Sequence, residues 1–238
     1  MFKISSAVAL LALAVSASAS VAANSEQDPW EGFNRAMFGF NDTVDGYILK
    51  PLSQGYKAVT PDPVESGVSN VFSNLGEVGN VVNDLLQFKL GQAGKDTGRF
   101  LINSTIGLAG IFDVASEMGI EANQGEDFGQ TLAAWGLQSG PYLVLPLFGP
   151  TTVRDGIALP VDSYLNPISH VDHVPSRNTA YGVELIDTRA ELLQVEELIS
   201  GDRYTFIRDV YLQRREQLVN DGDVEDSFGS DDEDFGDF

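Results

Sequence analysis

The chain has 238 residues, with 14 Lys and Arg against 35 Asp and Glu, a formal net charge of −21, and no cysteine. The overall field of so acidic a chain repels nucleic acid and anionic headgroups, so any membrane affinity must come from apolar surface. Disulfides, thiolate metal sites and cysteine nucleophiles are excluded, and the length suits one domain, at most two, with a sizeable core.

At the amino terminus, Lys3 precedes the small and apolar run Ala7–Val15, followed by SASASVAANSEQ. This is the basic, apolar and small-residue order of a secretory signal, with residues 1–23 as signal peptide and cleavage expected after Ala23. The apolar core is too short to span a bilayer. No cysteine follows it, so the exported chain is not expected to carry acyl groups on that residue.

Asp28-Pro29-Trp30-Glu31 reads as an N-cap, a proline at the first helical position and a glutamate in the first turn. Trp30, Phe33, Met37, Phe40, Val44 and Tyr47 then recur at steps of three and four, the period of an amphipathic helix. Its end is expected at Lys50, before Pro51. The same period returns in Val64, Val68, Val71, Phe72 and Leu75 after Pro63, and in Val78, Val81, Val82, Leu85 and Leu86, stopping near Gly91.

Phe100 to Val114, FLINSTIGLAGIFDV, is uncharged until Asp113 and rich in small residues. Two readings stay open, a buried core helix and a helix lying at a lipid interface. The stretch GPYLVLPLFGP, residues 140–150, is apolar and framed by Gly and Pro, with Pro146 obstructing a continuous helix. It reads as a bend. Thr152 and Asp155 fit the N-cap and N3 positions of the next helix, and Arg154 beside them is a candidate headgroup contact.

Further on, Tyr181, Leu185, Thr188 and Leu192 form one helical face, and Tyr204, Ile207, Tyr211 and Leu218 another. No stretch shows sustained strand alternation, so the fold class is all-α. From Asp221 to Phe238 there are nine acidic residues and no basic one, the composition of a disordered, solvated tail. It serves either solubility or, through Phe228, Phe235 and Phe238, docking to a basic partner.

Catalytic patterns are missing: there is no G-x-S-x-G elbow, phosphate-binding loop, G-x-G-x-x-G or H-E-x-x-H. His170 and His173, with Asp172 between them, read as loop residues rather than metal ligands. The Glu126/Asp127 and Glu196/Glu197 pairs read as solvated faces. No cofactor and no enzymatic activity are expected.

DPWEGFNRAMFGFND (28–42), GRFLINSTIGLAGIFDVA (98–115) and FGQTLAAWGLQSGPYLVLPLFGPTTVRDG (128–156) resemble the MlaA/VacJ family of phospholipid-transport proteins, as do IDTRAELL (186–193) and YLQR (211–214). The resemblance covers roughly residues 28 to 222. It implies a ring-like bundle of amphipathic helices associated with the periplasmic leaflet of the outer membrane. It also implies a phospholipid cargo, a trimeric porin partner, and a soluble periplasmic carrier feeding an inner-membrane ABC transporter. The activity implied is removal of mislocalised outer-leaflet phospholipid, which maintains lipid asymmetry. On this reading residues 24–222 form the lipid-transport domain and 223–238 the acidic tail.

The side chains expected to meet lipid or membrane are Trp30, Phe33, Met37, Phe40, Ile106, Leu108, Ile111, Phe112, Tyr142, Leu145, Pro146, Leu147, Phe148 and Arg154. One departure stands out. Family members typically carry a lipidated cysteine shortly before the first motif, where this chain has Ala23 and Asn24. A soluble periplasmic lipid-binding or scaffold protein, and a hydrolase using His170, are the competing classes.

Overall fold

A computed structural model describes residues 28–196, 199 and 201–222; the expected signal peptide and most of the acidic tail lie outside the described residues. Helix α1, Glu31–Val44, starts without a side-chain cap. Asp28 does not cap it as expected. Its carboxylate is turned inward, accepting from the Asn34 amide at 2.8 Å and from the Tyr204 hydroxyl, and Glu31 pairs with Arg35 at 2.7 Å.

Nor does the helix stop before Pro51. A π-helical turn, Asp45–Leu49, leads directly into α2, Lys50–Val59. Pro51 falls in the first turn of α2, where its missing N–H and fixed φ are tolerated. The next two apolar stripes belong to one 25-residue helix, α3, Asp62–Leu86. A short turn returns the chain as α4, Leu90–Thr105, which packs along α3.

The FLINSTIGLAGIFDV segment is not one helix. After Thr105 the chain turns through residues 106–112, with Leu108, Ala109 and Gly110 at φ of 54°, 59° and 91°. Gly110 is required here on two counts: its φ is left-handed, and a Cβ would lie 2.8 Å from that of Asn74. Short helices α5, Val114–Glu117, and α6, Phe128–Ala134, follow.

The chain is mostly helical, as expected, and the departure among the described residues is one β-hairpin. Strand β1, Tyr142–Leu145, pairs antiparallel with β2, Gly149–Thr152, in the register Tyr142↔Thr152 and Leu145↔Gly149. Leu147 and Gly149 take φ of 69° and 81° around the turn, and glycine meets the second of these at no steric cost. Four-residue strands, the second carrying Pro150 and the turn between them Pro146, show too little alternation to be read from sequence.

Helix α7, Val153–Leu165, begins as expected, with Thr152 Oγ1 accepting from the Asp155 N–H at 3.2 Å. A 3₁₀ turn, Pro167–His170, leads to α8, Val174–Glu191; then come α9, Leu193–Glu196, and α10, Arg203–Val219. Helix α8 lies on α2 and α3, while α10 lies on α6 and β2. The apolar core is small: Tyr142, Val144 and Tyr204, with Met37, Phe38, Tyr211 and Leu212 against them.

Candidate functional site

Most of the interior is polar. Among the described residues 18 polar or charged side chains are buried against eight apolar ones, while 27 large apolar side chains are exposed. In a water-soluble domain the buried set is dominated by apolar residues. Here the helices turn their polar stripes inward. On α3 the buried side chains include Asn74, Glu77, Asn83 and Asp84, and on α4 Asp96, Arg99 and Asn103. The α4 set recurs at steps of three and four, and on α3 Asn74, Glu77 and Asp84 are three and seven apart, the same helical period as the apolar stripes.

Such an interior holds only if its polar atoms find partners. On α1, Asn34 and Asn41 stand two turns apart and clamp the hairpin. Asn34 donates to Tyr142 O at 3.0 Å and accepts from Val144 N–H at 2.9 Å. Asn41 donates to Leu145 O at 2.9 Å and accepts from Leu147 N–H at 2.7 Å. Each amide thus bonds the strand backbone as a neighbouring strand would. The polar edge of α1 is thereby consumed inside, and Trp30, Phe33 and Phe40 remain exposed.

The 106–112 turn is held by one such bond to its backbone and by a polar cluster on the residues that flank it. Asn70 donates to Ile111 O at 2.9 Å, Asn74 to Ser104 Oγ at 2.9 Å, and Asn103 to Asp113 at 2.9 Å. Arg99 ties the group together, pairing with Glu77 at 2.8 Å and Asp113 at 3.2 Å and donating to Ser116 at 3.0 Å. With its backbone anchored, the turn leaves Ile106, Leu108, Ile111 and Phe112 outside.

Two apolar clefts open beside these patches. One, of about 450 Å³, runs beneath the hairpin between Phe38, Val144, Pro150, Phe206, Ile207 and Val210, with Arg189, Arg203 and Arg214 among its lining. The other, of about 550 Å³, is framed by Val64, Val68 and Val71 of α3, Ile111 and Phe112 of the turn, and Val183 of α8. Both volumes fall in the range of ligand clefts.

Among the described residues around the first cleft, Arg189 and Arg203 are ion-paired, and Arg214 is not. Arg189 binds Asp45 at 2.7 Å and Glu196 at 2.7 Å, and Glu196 also takes Lys50 at 3.1 Å and Arg203 at 3.2 Å. Glu196 is therefore an ion-pair hub and not part of a solvated face. The same correction applies to Glu126 and Asp127. Glu126 accepts from Gln87 at 2.8 Å and Lys89 at 3.0 Å. Asp127 caps α6 by accepting from Gln130 N–H at 2.9 Å and pairs with Arg215, which also holds Asp155 at 2.9 Å. Burial pushes the Asp127 carboxyl up, but the Arg215 hydrogen bond and charge outweigh it and hold it below the usual carboxylate range. Asp162 lacks such a cation, and burial pushes it up to about 6.

The histidines are structural: His170 Nε2 contacts Tyr164 O at 2.8 Å, and His173 caps α8 by accepting from Ser176 N–H. Among the described residues no group of three or more His, Asp or Glu side chains could hold a metal ion. Also among the described residues, no helix is long and apolar enough to cross a membrane.

The expected lipid contacts divide. Trp30, Phe33, Phe40, Ile106, Leu108, Ile111, Phe112, Pro146, Leu147 and Phe148 are exposed, Phe148 by 75%. Met37 and Leu145 are half-buried. Tyr142 is fully buried, and Arg154 is buried with its Nε donating to Asp155 at 3.0 Å, so both face the protein interior. Sequence reasoning misses the asparagine clamps and Arg99. Their signal is a polar stripe at helical spacing, legible once the inside is allowed to be polar.

The class so defined is a helical protein with an internal polar network and an apolar outer surface. The sequence model of the MlaA lipoprotein family matches residues 26–218, and the chain belongs to that family. It is 35% identical over 207 residues to the intermembrane phospholipid transport system lipoprotein MlaA of Haemophilus influenzae (strain ATCC 51907 / DSM 11121 / KW20 / Rd), covering 84% of this chain and 82% of that one. The Escherichia coli (strain K12) protein of the same description is 34% identical over 202 residues, covering 83% and 80%. An uncharacterized protein of Rickettsia prowazekii (strain Madrid E) is 38% identical over 196 residues, covering 81% and 78%. A solved structure described as the structural basis for maintenance of bacterial outer membrane lipid asymmetry superposes with a TM-score of 0.72 at 35% identity. It covers 81% of this chain and 99% of that chain.

Proposed function

We propose that the apolar exterior seats this phospholipid-transport protein in the periplasmic leaflet of the outer membrane, the helices forming a ring-like body around a polar passage. Family membership makes the chain a lipid transport protein of the system that maintains outer-membrane lipid asymmetry, not an enzyme. The observation that carries the membrane reading is the inversion of polarity: buried Asn, Asp and Arg stripes beneath exposed Trp30, Phe33, Phe40, Ile106, Phe112, Leu147 and Phe148. In water that surface is a liability. Against acyl chains each large side chain contributes roughly 2 kcal/mol, so a handful suffices for stable residence without a spanning helix.

Mislocalised phospholipid enters with its acyl chains on the apolar walls beside the hairpin and the 106–112 turn, and its phosphate meets the arginines of the first cleft. The porin trimer, the soluble carrier and the inner-membrane ABC transporter complete the route as the resemblance implies. With no cysteine among the 238 residues, the apolar shell replaces acyl anchoring, and the mature amino terminus near Asn24 is an unmodified amine.

Flotation of the purified protein with phospholipid vesicles, with extraction and analysis of bound lipid, tests this. The expected result is flotation and co-purified phospholipid. A protein that stays in the soluble fraction with no lipid would overturn the membrane reading in favour of a periplasmic scaffold. Intact-mass spectrometry checks the amine: added acyl mass would refute it.

A further inference from the structure

Asp84, near the end of α3, and Asp96, in the middle of α4, are both fully buried on helices that pack along each other, and the two carboxyls interact. Neither oxygen of Asp84 meets an N–H, a hydroxyl donor or a cation. Asp96 is differently served. Its two oxygens accept from the Gln92 amide at 2.9 Å and the Asn123 amide at 2.7 Å. An ionised Asp84 would thus stand unsolvated against an ionised neighbour, an arrangement with no compensating interaction. One proton resolves it. Carried on Asp84, it turns an orphaned acceptor into an O–H donor toward Asp96, whose oxygens accept from two amides as well.

We infer that Asp84 and Asp96 share a single proton, and that this buried proton site fastens α4 and the Asn123 loop to the carboxyl end of α3. The surrounding charges fit. Glu126, ahead of α6, adds negative potential at Asp84, which Lys89 offsets; Lys89 is itself occupied by Glu126 and Asp221. On the far side of Asp96, Glu77 of α3 is engaged by Arg99 of α4 at 2.8 Å. Among the described residues no cation forms an ion pair with Asp84. Burial first, and the contact with Asp96 second, push the Asp84 carboxyl up to about 8. A metal ion is the other way to satisfy two carboxylates, but Gln92 and Asn123 point amide hydrogens at Asp96, the arrangement that suits an anion and not a cation's ligand shell.

The linkage has a definite sign. The unfolded carboxyl titrates near 3.8 and the folded one near 8, so between those values the folded state binds more protons. The contribution of this site to stability is therefore full below pH 3.8, falls as pH rises through the window, and levels off above about 8.

Asp84→Asn keeps the shape, donates an N–H to Asp96 and cannot ionise. Relative to this variant, the unfolding equilibrium of the wild type should rise by up to about tenfold per pH unit across the window. Infrared spectroscopy supplies a reading independent of stability. At about pH 7 the wild type should show a protonated-carboxyl stretching band that titrates away above about pH 8 and is missing in Asp84→Asn. Parallel stability–pH curves for wild type and Asp84→Asn overturn the proposal. Should the variant not fold, absence of the band from the wild type overturns it, and a band titrating near pH 8 supports it. Stabilisation of the wild type by added calcium, abolished in Asp84→Asn, would assign the site to a cation instead and refute the shared proton.

Discussion

Replacing Asn34 by Ala should be among the most damaging single changes in α1, although it removes no apolar surface. The side chain makes three hydrogen bonds in a fully buried position: to Asp28 Oδ1 at 2.8 Å, to Tyr142 O at 3.0 Å, and from Val144 N–H at 2.9 Å. The Val144 N–H is the group that suffers most. It points away from β2 toward α1, where Asn34 Oδ1 is its acceptor. Stranding a buried donor or acceptor costs about 1–3 kcal/mol. Asp28 keeps Tyr204 and Arg208, so two groups are truly orphaned, for a total of about 2–6 kcal/mol. For a chain of this size that corresponds to a Tm lower by roughly 5–15 °C. Asn41→Ala, in a less buried position, should lose about half as much. Thermal melts by circular dichroism in a mild detergent measure both. The control is Phe33→Ser, which in the same detergent should move Tm by only about 2 °C or less, because Phe33 is half exposed and lies on the outer face. Should Asn34→Ala melt like the wild type while Phe33→Ser unfolds, the assignment of polar inside and apolar outside is wrong.

Four further outcomes follow from the same geometry. Phe33→Asp combined with Phe40→Asp should retain its helical circular dichroism and lose vesicle flotation; unfolding of the pair would make the stripe core. Arg99→Met leaves Glu77 buried without its cation and should cost about 3–5 kcal/mol, read as a fall in the urea midpoint, with near-wild-type stability counting against the role of Arg99. Asp127, held below the usual carboxylate range by Arg215 despite its burial, contributes stability that is present above about pH 4 and is lost as pH falls through its folded value; Arg215→Met should flatten that acid limb of the stability curve. In the hairpin, Leu145→Asp should impair folding or membrane association, whereas Pro146→Ala should leave a folded, membrane-bound protein with altered surface phospholipid in cells, and unchanged outer-leaflet composition would reduce the turn to a connector.

Helix positions are legible in the sequence because they depend on period alone. The stripes of α1, α3, α8 and α10 show the three-and-four spacing, and that spacing survives whichever face is buried. Caps are legible where a short polar side chain meets the first turn, as at Thr152, and misleading where the same residue type is needed elsewhere. Asp28 is such a case, drawn into the Asn34–Tyr204–Arg208 cluster. The hairpin is hidden because what holds it comes from far along the chain: the groups that satisfy β1 are amides of Asn34 and Asn41, more than 100 residues away.

The face on which each stripe is buried is a different kind of information. A helix with Trp30, Phe33 and Phe40 on one side and Asn34 and Asn41 on another fits equally well inside an oily core or inside an oily solvent, since transfer from water favours both. What separates the two cases is whether the polar stripe can be satisfied internally. That requires complementary stripes on several helices at once: Asn34 with a strand, Asn70 with a turn, Arg99 with Glu77 and Asp113. Single-helix periodicity cannot supply it, because each partner is non-local. The polar stripes are therefore the residues whose removal most directly tests the fold, and the apolar stripes those whose removal tests the surface on which it works.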